Sequence, residues 1–165
     1  MKEVLHKLTS HMTLSREEAK TILVGIASGK YNQSQVSSFL TVFMMRLITV
    51  EELMGFRDAL LELCVRTELD GFNTIDMCGT GGDGKNTFNI STLASFVVAG
   101  AGEKVAKHGN YGVSSATGSS NMLEYFGYKS SNNRNKLKKE LDQSRICILH
   151  APLFHPALRE VVPVR

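Results

Sequence analysis

The length, composition and charge of the chain are those of an ordinary globular protein, and they exclude several other classes. Its 165 residues are 42% hydrophobic and 21% charged, and the formal net charge is +3 at pH 7. No apolar run approaches the ~18 residues needed to span a bilayer, and the N-terminal segment lacks the apolar core of a secretion signal. The mild positive charge suits an anionic small molecule and does not require nucleic acid.

The cysteines predict neither a disulfide framework nor a metal site. Cys64, Cys78 and Cys147 are odd in number and lack the spacing of metal ligands. We expect reduced thiols in a cytoplasmic protein, with Cys78 packed rather than reactive.

The first part of the chain, residues 1–69, predicts a helical domain. Ser15 and Thr49 each precede a glutamate by three residues, which is the spacing of a capping box. Asn32 is a further N-cap candidate. Apolar residues follow each of these positions at helical spacing, so three amphipathic helices are expected.

From residue 70 the pattern changes to alternating strands and helices. This alternation favours an α/β layer with a parallel sheet, so residues 70–165 are assigned to a second domain. The expected elements, in chain order, are a strand at 74–78, a helix at about 90–101, a strand at 104–106, a helix from 119 or 120 to 126, a helix at 133–143 and a strand at 146–149.

The most informative stretch is the glycine-rich loop at residues 79–92, which reads GTGGDGKNTFNIST. Glycine lets successive backbone N–H groups converge on one point, and a helix start adds free donors and a partial positive charge. A strand, a glycine loop and a helix start therefore predict a cradle for an anion such as phosphate. Asn86 after Lys85 excludes a Walker A loop, and the glycine spacing does not fit a dinucleotide fingerprint. The alternative is a flexible surface turn.

A second polar loop follows the strand at 104–106. It carries a cation, an amide and three hydroxyl groups, namely Lys107, Asn110, Ser114, Ser115 and Ser119. Loops at the carboxyl ends of parallel strands gather at one edge of a sheet, so this loop is expected to face the glycine loop and favours a ligand with two phosphate groups. The alternative for Lys107 is a solvated side chain. His108 is expected to be structural or positioning, because no serine or cysteine nucleophile pairs with it.

Together these motifs closely resemble the anthranilate phosphoribosyltransferase family, and the matching segments cover nearly the whole chain. The segments are residues 79–84, 87–92, 107–110, 114–115, 118–119, 123–124, 151–157 and 163–165. The resemblance implies a fold of the nucleoside phosphorylase/phosphoribosyltransferase type, in which an N-terminal helical bundle domain precedes a partial, mostly parallel α/β sheet domain.

The resemblance also implies a set of site residues, none of which acts as an acid, base or nucleophile. Those that would bind phosphoribosyl pyrophosphate (PRPP) are Gly79, Gly82, Asp83, Thr87, Asn89, Ile90, Ser91, Thr92, Lys107, His108, Gly109, Asn110, Ser114, Ser115 and Ser119. Gly79 and Asn110 would touch anthranilate, and the planar fork of Arg165 would pair with its carboxylate. Ser91 would contact Mg²⁺. The alternative for Arg165 is a charged chain end.

The activity implied by the resemblance is transfer of the phosphoribosyl group from PRPP to anthranilate in tryptophan biosynthesis. Such an enzyme would be cytoplasmic, would need Mg²⁺ and would form a homodimer through its helical domain, with neither nucleic acid nor a membrane as partner. Members of the family are longer, and their Asp-Glu pair for magnesium lies beyond residue 165. We therefore expect weak or no activity from the isolated chain. Tyr111 stands where many members have an arginine, which removes one cation near the phosphates.

Three alternatives stay open at this point. A pyrimidine nucleoside phosphorylase of the same structural family would bind phosphate and a nucleoside. A non-catalytic relative that binds nucleic acid would need clustered cations, whereas Lys136, Lys138 and Lys139 are flanked by Glu140 and Asp142 in an ordinary solvated helix. The third alternative is a fragment whose only activity is assembly.

Overall fold

The structure divides into two compact units. It is a computed structural model and describes residues 1–79, 81, 87–112 and 117–164. Residues 1–65, with the described residues from 155 onward, form a helical unit, and residues 66–154 form an α/β unit. No helix in the described ranges is both long enough and apolar enough to cross a membrane.

Residues 1–65 of the helical unit, all of them described, fold into helices. These are α1 (Lys2–Thr9), α2 (Arg16–Ala27), α3 (Gln33–Met45) and α4 (Val50–Leu63). The predicted caps are confirmed, since capping boxes begin α2 at Ser15, α3 at Asn32 and α4 at Thr49. α1 has no side-chain cap hydrogen bond, so no cap signal marked it in the sequence.

The helical unit is held together by close packing of α2 against α4 and by a cluster of aromatic rings. Gly55 permits the close approach, because a Cβ there would overlap the carbonyl of Arg16 and lie 2.7 Å from the Cβ of Ala19. The rings of Phe39, Phe43 and Phe56 pack edge to face, with centroids 5.1 to 6.0 Å apart. Burial of these apolar faces stabilises helices that are too short to persist alone.

The described residues from 155 onward also belong to the helical unit. Ala157 is buried, and Val161 and Val164 pack against the core of this unit. A local sequence pattern does not register such long-range contacts, and the expected domain boundary at residue 69 stays a prediction for the whole protein. The elements in this segment are two short 3₁₀ helices, Pro156–Glu160 and Val162–Val164.

A buried ion pair ties together several segments of the helical unit. Glu52 is fully buried, and its carboxylate accepts hydrogen bonds from the guanidinium of Arg46 at 2.5 and 2.9 Å. The same carboxylate accepts from the backbone N–H groups of Leu14 and Thr49, each at 2.9 Å. Burial alone would raise the pKa of Glu52, but these donors outweigh it and lower the pKa to about 2.

The α/β unit contains a parallel pair of strands. β1 (Val105–Gly109) pairs with β2 (Ile146–His150), in register from Val105 opposite Ile146 to Gly109 opposite His150. This parallel pairing is the arrangement predicted from the alternation of strands and helices. The helices of the unit are α5 (Ile90–Gly100), α6 (Ser119–Tyr125), α7 (Arg134–Ser144), α8 (Ala151–Phe154) and a 3₁₀ turn at Asp70–Phe72.

The expected strand at 74–78 was wrong in its extent, because the described structure keeps only one bridging residue of it. Ile75 pairs in parallel with Val105, donating to the carbonyl of Lys104 at 2.8 Å and accepting from the N–H of Ala106 at 3.0 Å. By contrast, β1 runs three residues beyond its predicted end, because its carboxyl end finds a partner in β2.

After Ile75, hydrogen bonds between side chains and backbone take the place of the backbone hydrogen bonds of a strand. The carboxylate of Asp76 accepts from the backbone N–H of His108 at 3.1 Å. The carbonyl of Met77 accepts from the ammonium of Lys107 at 3.2 Å. These contacts satisfy the segment's polar groups without a regular strand, which is why a pattern of apolar residues overestimated its length.

The cysteines of the α/β unit have different environments. Cys147 in β2 is fully buried in the core with Leu137 and Leu141 of α7, and burial raises the pKa of its thiol to about 12. Cys78 is exposed, so the prediction that it would be packed was wrong. Cys78 lies three residues after the bridging residue Ile75. In the described structure no strand includes Cys78, so its side chain is not packed within a sheet.

We predict that Glu52→Gln destabilises the protein by roughly 3 kcal/mol at pH 7, because Arg46 then keeps a largely buried charge without its partner. The pKa of Glu52 is lower in the folded protein than in the unfolded chain. Its charge therefore adds stability above about pH 4.5, and this contribution is lost as the pH falls from about 4.5 to about 2. Urea unfolding followed by circular dichroism at pH 7 and pH 3 measures both effects.

The matched control for this prediction is Glu62→Gln on the same helix. Glu62 is exposed and pairs with Lys20 at 2.6 Å, so its replacement is expected to change stability by no more than about 0.5 kcal/mol. Equal losses in the two variants, or an acid sensitivity of Glu52→Gln as large as that of the unmutated protein, would contradict the assignment of Glu52.

Candidate functional site

The described parts of both polar loops line one cavity of the α/β unit, with a volume of about 450 Å³. The segment after Ile75, the carboxyl end of β1 and the residue after β2 all reach it. This is the arrangement expected for loops that follow parallel strands. The prediction that the two loops face each other is therefore confirmed for their described residues.

The predicted site residues fall into three groups. Those that line the cavity are Gly79, Asn89, Ser91, Lys107, His108, Gly109, Asn110 and Ser119. Those outside the described residues are Gly82, Asp83, Ser114, Ser115 and Arg165. Thr87, Ile90 and Thr92 are described and are not among the lining residues.

The position of the third group has a physical reason. Thr87 and the side chain of Ile90 are exposed to solvent where the loop enters α5. Thr92 lies on the buried face of α5, and its hydroxyl has no hydrogen-bond partner among the described residues. The role of these three residues in binding PRPP stays a prediction.

Sequence reasoning missed some of the lining residues. Ala151 directly follows β2, so the parallel pairing of β1 and β2 was the signal that places it at this edge. Tyr111 lies within the second loop, and sequence reasoning considered it only as a position that lacks a cation. Cys78 and Gly118 also line the cavity. Cys78 reaches it because the strand expected at 74–78 is reduced to the bridging residue Ile75. Gly118 lines it through its backbone.

Lys107 places a buried ammonium group beside the cavity. The residue is 1% exposed, and its Nζ donates to the carbonyls of Met77 and His108 at 3.2 Å and to the hydroxyl of Ser91 at 3.3 Å. All three acceptors are neutral, and no described carboxylate forms an ion pair with Nζ. Burial lowers the pKa of Lys107, an effect that the nearby charge of Asp76 opposes. The alternative of a solvated lysine is thus excluded.

His108 is held by Asp76. Its Nδ1 lies 2.7 Å from one carboxylate oxygen of Asp76, and its backbone N–H donates to the other at 3.1 Å. An imidazole that donates from Nδ1 keeps Nε2 as an acceptor when it is neutral. This two-point contact fixes the orientation of the imidazole, and the structural or positioning role of His108 stays a prediction.

The second loop is bound to the start of α6 mainly through its backbone. The carbonyl of Asn110 accepts from the N–H of Ser120 at 3.1 Å, and the N–H of Asn110 donates to the hydroxyl of Ser119 at 3.2 Å. The side-chain oxygen of Asn121 accepts from the N–H groups of both Gly112 and Gly118 at 3.0 Å. One amide group thus joins the two described ends of the loop.

Tyr111 does not present a cation to the cavity. Its phenol donates to the carboxylate of Glu124 at 2.9 Å. Its ring packs edge-on against that of His150, with centroids 4.8 Å apart. The side chain therefore anchors the loop to α6 and to the end of β2.

Two protein-family models match the chain. One, described as "Glycosyl transferase family, a/b domain", matches residues 71–165, and the other, "Glycosyl transferase family, helical bundle domain", matches residues 2–64. The chain belongs to this glycosyl transferase family, in which a helical bundle domain precedes a parallel α/β domain. The fold class predicted from the sequence is thereby confirmed.

Similar proteins agree with the resemblance read from the motifs. The anthranilate phosphoribosyltransferases of Flavobacterium johnsoniae and Christiangramia forsetii are 67% and 63% identical over 165 residues. The match covers 100% of this chain and 50% of each relative, so the chain spans about half the length of the curated relatives it matches.

Solved structures of two more distant relatives share the fold. The anthranilate phosphoribosyltransferase of Thermus thermophilus is 32% identical, with a TM-score of 0.83, and the match covers 98% of this chain and 49% of that one. The enzyme of Saccharomyces cerevisiae, solved in complex with PRPP and Mg, is 29% identical, with a TM-score of 0.85 and the same coverage.

We predict that Gly118→Ala destabilises the protein by about 1–3 kcal/mol and, if the cavity is the binding site for PRPP proposed below, raises the KM for PRPP. A Cβ at this position would lie 2.6 Å from the carbonyl oxygen of Asn110 and against the backbone of Tyr111 and Gly112. The backbone of Gly118 is extended, with φ of −87° and ψ of 175°, so the cost comes from this contact and not from its own conformation. Thermal unfolding and steady-state kinetics measure the two effects.

Gly100→Ala is the matched control in the same unit. A Cβ at Gly100 meets nothing within 4 Å, and alanine is the better helix former at the end of α5. Its melting temperature should equal or exceed that of the unmutated protein. A Gly118→Ala variant as stable as Gly100→Ala would show that the loop is not packed as described.

Proposed function

We propose that this protein transfers the phosphoribosyl group from PRPP to anthranilate, giving phosphoribosyl anthranilate and pyrophosphate in tryptophan biosynthesis. The observation that carries the proposal is the buried ammonium of Lys107, placed between two glycine-bearing loops that line one cavity. The names of the similar proteins support the same reaction. We further propose that the protein acts in the cytoplasm.

The described residues are suited to binding the departing pyrophosphate. Gly81 lines the cavity with φ of 63°, a conformation that few other residues adopt. The N-terminus of α5 and the charge of Lys107 add positive potential on the same side of the cavity. Such preorganised donors stabilise negative charge as it develops in the transition state.

The amine of anthranilate is already a nucleophile, so no covalent intermediate is required. The protein must align this amine with C1 of the ribose and exclude misplaced water. Gly79 and Asn110 line the cavity and are proposed to contact anthranilate. Arg165 is proposed to pair with its carboxylate through two hydrogen bonds.

Mg²⁺ is proposed as the metal. The described residues of the site would supply only part of its ligands. The hydroxyl of Ser91 is a hard oxygen ligand that lines the cavity, whereas the described residues contain no cluster of acidic, histidine or cysteine side chains that would hold a metal. Mg²⁺ commonly takes few protein ligands and completes its shell with substrate phosphates and water. When bound, it would neutralise charge on the pyrophosphate group.

The helical unit supports a further proposal, that the protein is a homodimer. Met44, Met45 and Leu47 are 86%, 82% and 91% exposed, and the neighbouring Val50 and Leu53 are 74% and 54% exposed. Water-exposed apolar side chains so close together favour an interface. In a dimer with a two-fold axis, this apolar surface would pack against the same surface of a second copy.

We predict that Lys107→Met lowers kcat/KM by about 10²–10³, because it removes the buried positive charge from the wall of the cavity. The assay for phosphoribosyl anthranilate, with PRPP, anthranilate and Mg²⁺, uses a full-length protein, meaning one that spans the whole length of the curated relatives, of which this chain covers 50%. Lys104→Met is the control, since Lys104 is in the same segment but pairs with Asp142 at 3.5 Å and does not line the cavity.

The same assay tests the proposed function itself. The unmutated full-length protein should form phosphoribosyl anthranilate, and the 165-residue chain alone should show weak turnover or none. Phosphorolysis of thymidine without transfer to anthranilate would identify a nucleoside phosphorylase instead. Equal losses of kcat/KM in the two lysine variants would remove Lys107 from the site.

We predict that Leu47→Asp converts the full-length protein from dimer to monomer, because a buried carboxylate in an apolar interface is costly. Sedimentation velocity measures the change. Met12→Asp is the control, since Met12 is also exposed, at 49%, but lies outside the cluster at 44–53. A monomeric unmutated protein, or a Leu47→Asp variant that stays dimeric, would contradict the proposed interface.

A further inference from the structure

We propose that Tyr111 and Glu124 form a positioning pair, whose hydrogen bond fixes the backbone of residues 110–112 on the wall of the cavity. The inference rests on the proposed function, since it assigns the pair to the PRPP site. Neither residue is proposed to touch the reacting atoms. Their effect is exerted through the loop that carries Asn110.

The first step of the argument is that α6 holds the loop at both of its described ends. Asn121 accepts from the N–H groups of Gly112 and Gly118, as described above. Glu124 lies three residues later, on the same face of the helix. From that face it receives the phenol of Tyr111 at 2.9 Å. The Tyr111–Glu124 bond thus adds a side-chain anchor to the backbone contacts that the loop makes with α6.

The second step is that the ring of Tyr111 rests on a rigid base. His150, at the end of β2, is 6% exposed, and its Nδ1 lies 2.8 Å from the hydroxyl of Ser120. The rings of His150 and Tyr111 meet edge to face at 74°. With the ring held by β2 and the hydroxyl held by α6, Tyr111 has two independent restraints.

The third step is that Tyr111 stands between two cavities. It lines the candidate site, and it also lines a second cavity of about 490 Å³ together with Glu124 and His150. Movement of this side chain would change the shape of the candidate site. Its hydroxyl is engaged by Glu124, and this contact raises the pKa of Tyr111, so the phenol stays protonated and keeps donating to that carboxylate.

The test compares Tyr111→Phe, Glu124→Ala and the double variant in the full-length protein. Tyr111→Phe keeps the ring against His150 and removes only the hydroxyl. Each single variant is expected to raise the KM for PRPP about three- to tenfold, with kcat changed less than about twofold, because one hydrogen bond that orders the loop is lost. The double variant should have about the same KM as either single variant, since both remove one shared bond.

Tyr128→Phe is the matched control. Its phenol also donates to a glutamate of the same unit, Glu140, at 2.9 Å, but Tyr128 does not line the candidate site. Loss of this bond should lower the melting temperature and leave the KM for PRPP unchanged. A general loss of stability is thereby separated from loss of loop positioning.

Each remaining outcome overturns the proposal. The positioning pair would be refuted by an unchanged KM in Tyr111→Phe, by additive effects in the double variant, or by an equal rise of KM in Tyr128→Phe. In each of these cases, turnover by the unmutated protein would leave the proposed function intact. Absence of phosphoribosyl anthranilate from the unmutated protein would refute the proposed function and the pair with it.

Discussion

The ammonium group of Lys107 is almost fully removed from water, and its contacts bring the parts of the candidate site together. A charge in that position is costly unless other groups solvate it. The neighbouring carbonyls of Met77 and His108 and the hydroxyl of Ser91 do so, and they come from the segment before the glycine loop, from β1 and from α5. These acceptors stabilise the cation without cancelling its charge. The charge is therefore available to the anion that we propose as the ligand of the cavity.

The second constraint is the close approach of backbone to backbone around the cavity. At Gly109 a Cβ would lie 2.6 Å from the hydroxyl of Ser119, and at Gly118 it would press on the loop backbone. Small residues at these two positions let the second loop lie directly on the start of α6. The backbone groups in this part of the wall are therefore fixed in direction by the fold. Backbone N–H groups that are fixed in this way can bind an anion without the entropy loss of ordering long side chains.

The sequence predicted those features that depend on neighbouring residues. Ser15, Asn32 and Thr49 begin helices because a capping box is a local structure, complete within four residues. The convergence of the two loops was also predictable, since parallel strands bring their carboxyl ends to one edge. The burial of Lys107 was not, because a lysine after a strand is usually solvated and its acceptors come from distant segments. Ala151 and the single bridging residue Ile75 depended in the same way on long-range pairing.

Two buried charged groups among the described residues show how structural and functional roles differ in their surroundings. Glu52 in the helical unit is met by a guanidinium and two backbone N–H groups, so its charge is fully compensated and its pKa falls to about 2. Lys107 is met by neutral acceptors, and burial lowers its pKa. A compensated charge stabilises the fold and has no capacity left for a ligand. An uncompensated one costs stability in the free protein, and binding of an anion recovers that cost. The same reasoning separates Tyr111 from Lys107, because a phenol already bound to Glu124 can hold the loop but has no charge to offer the ligand.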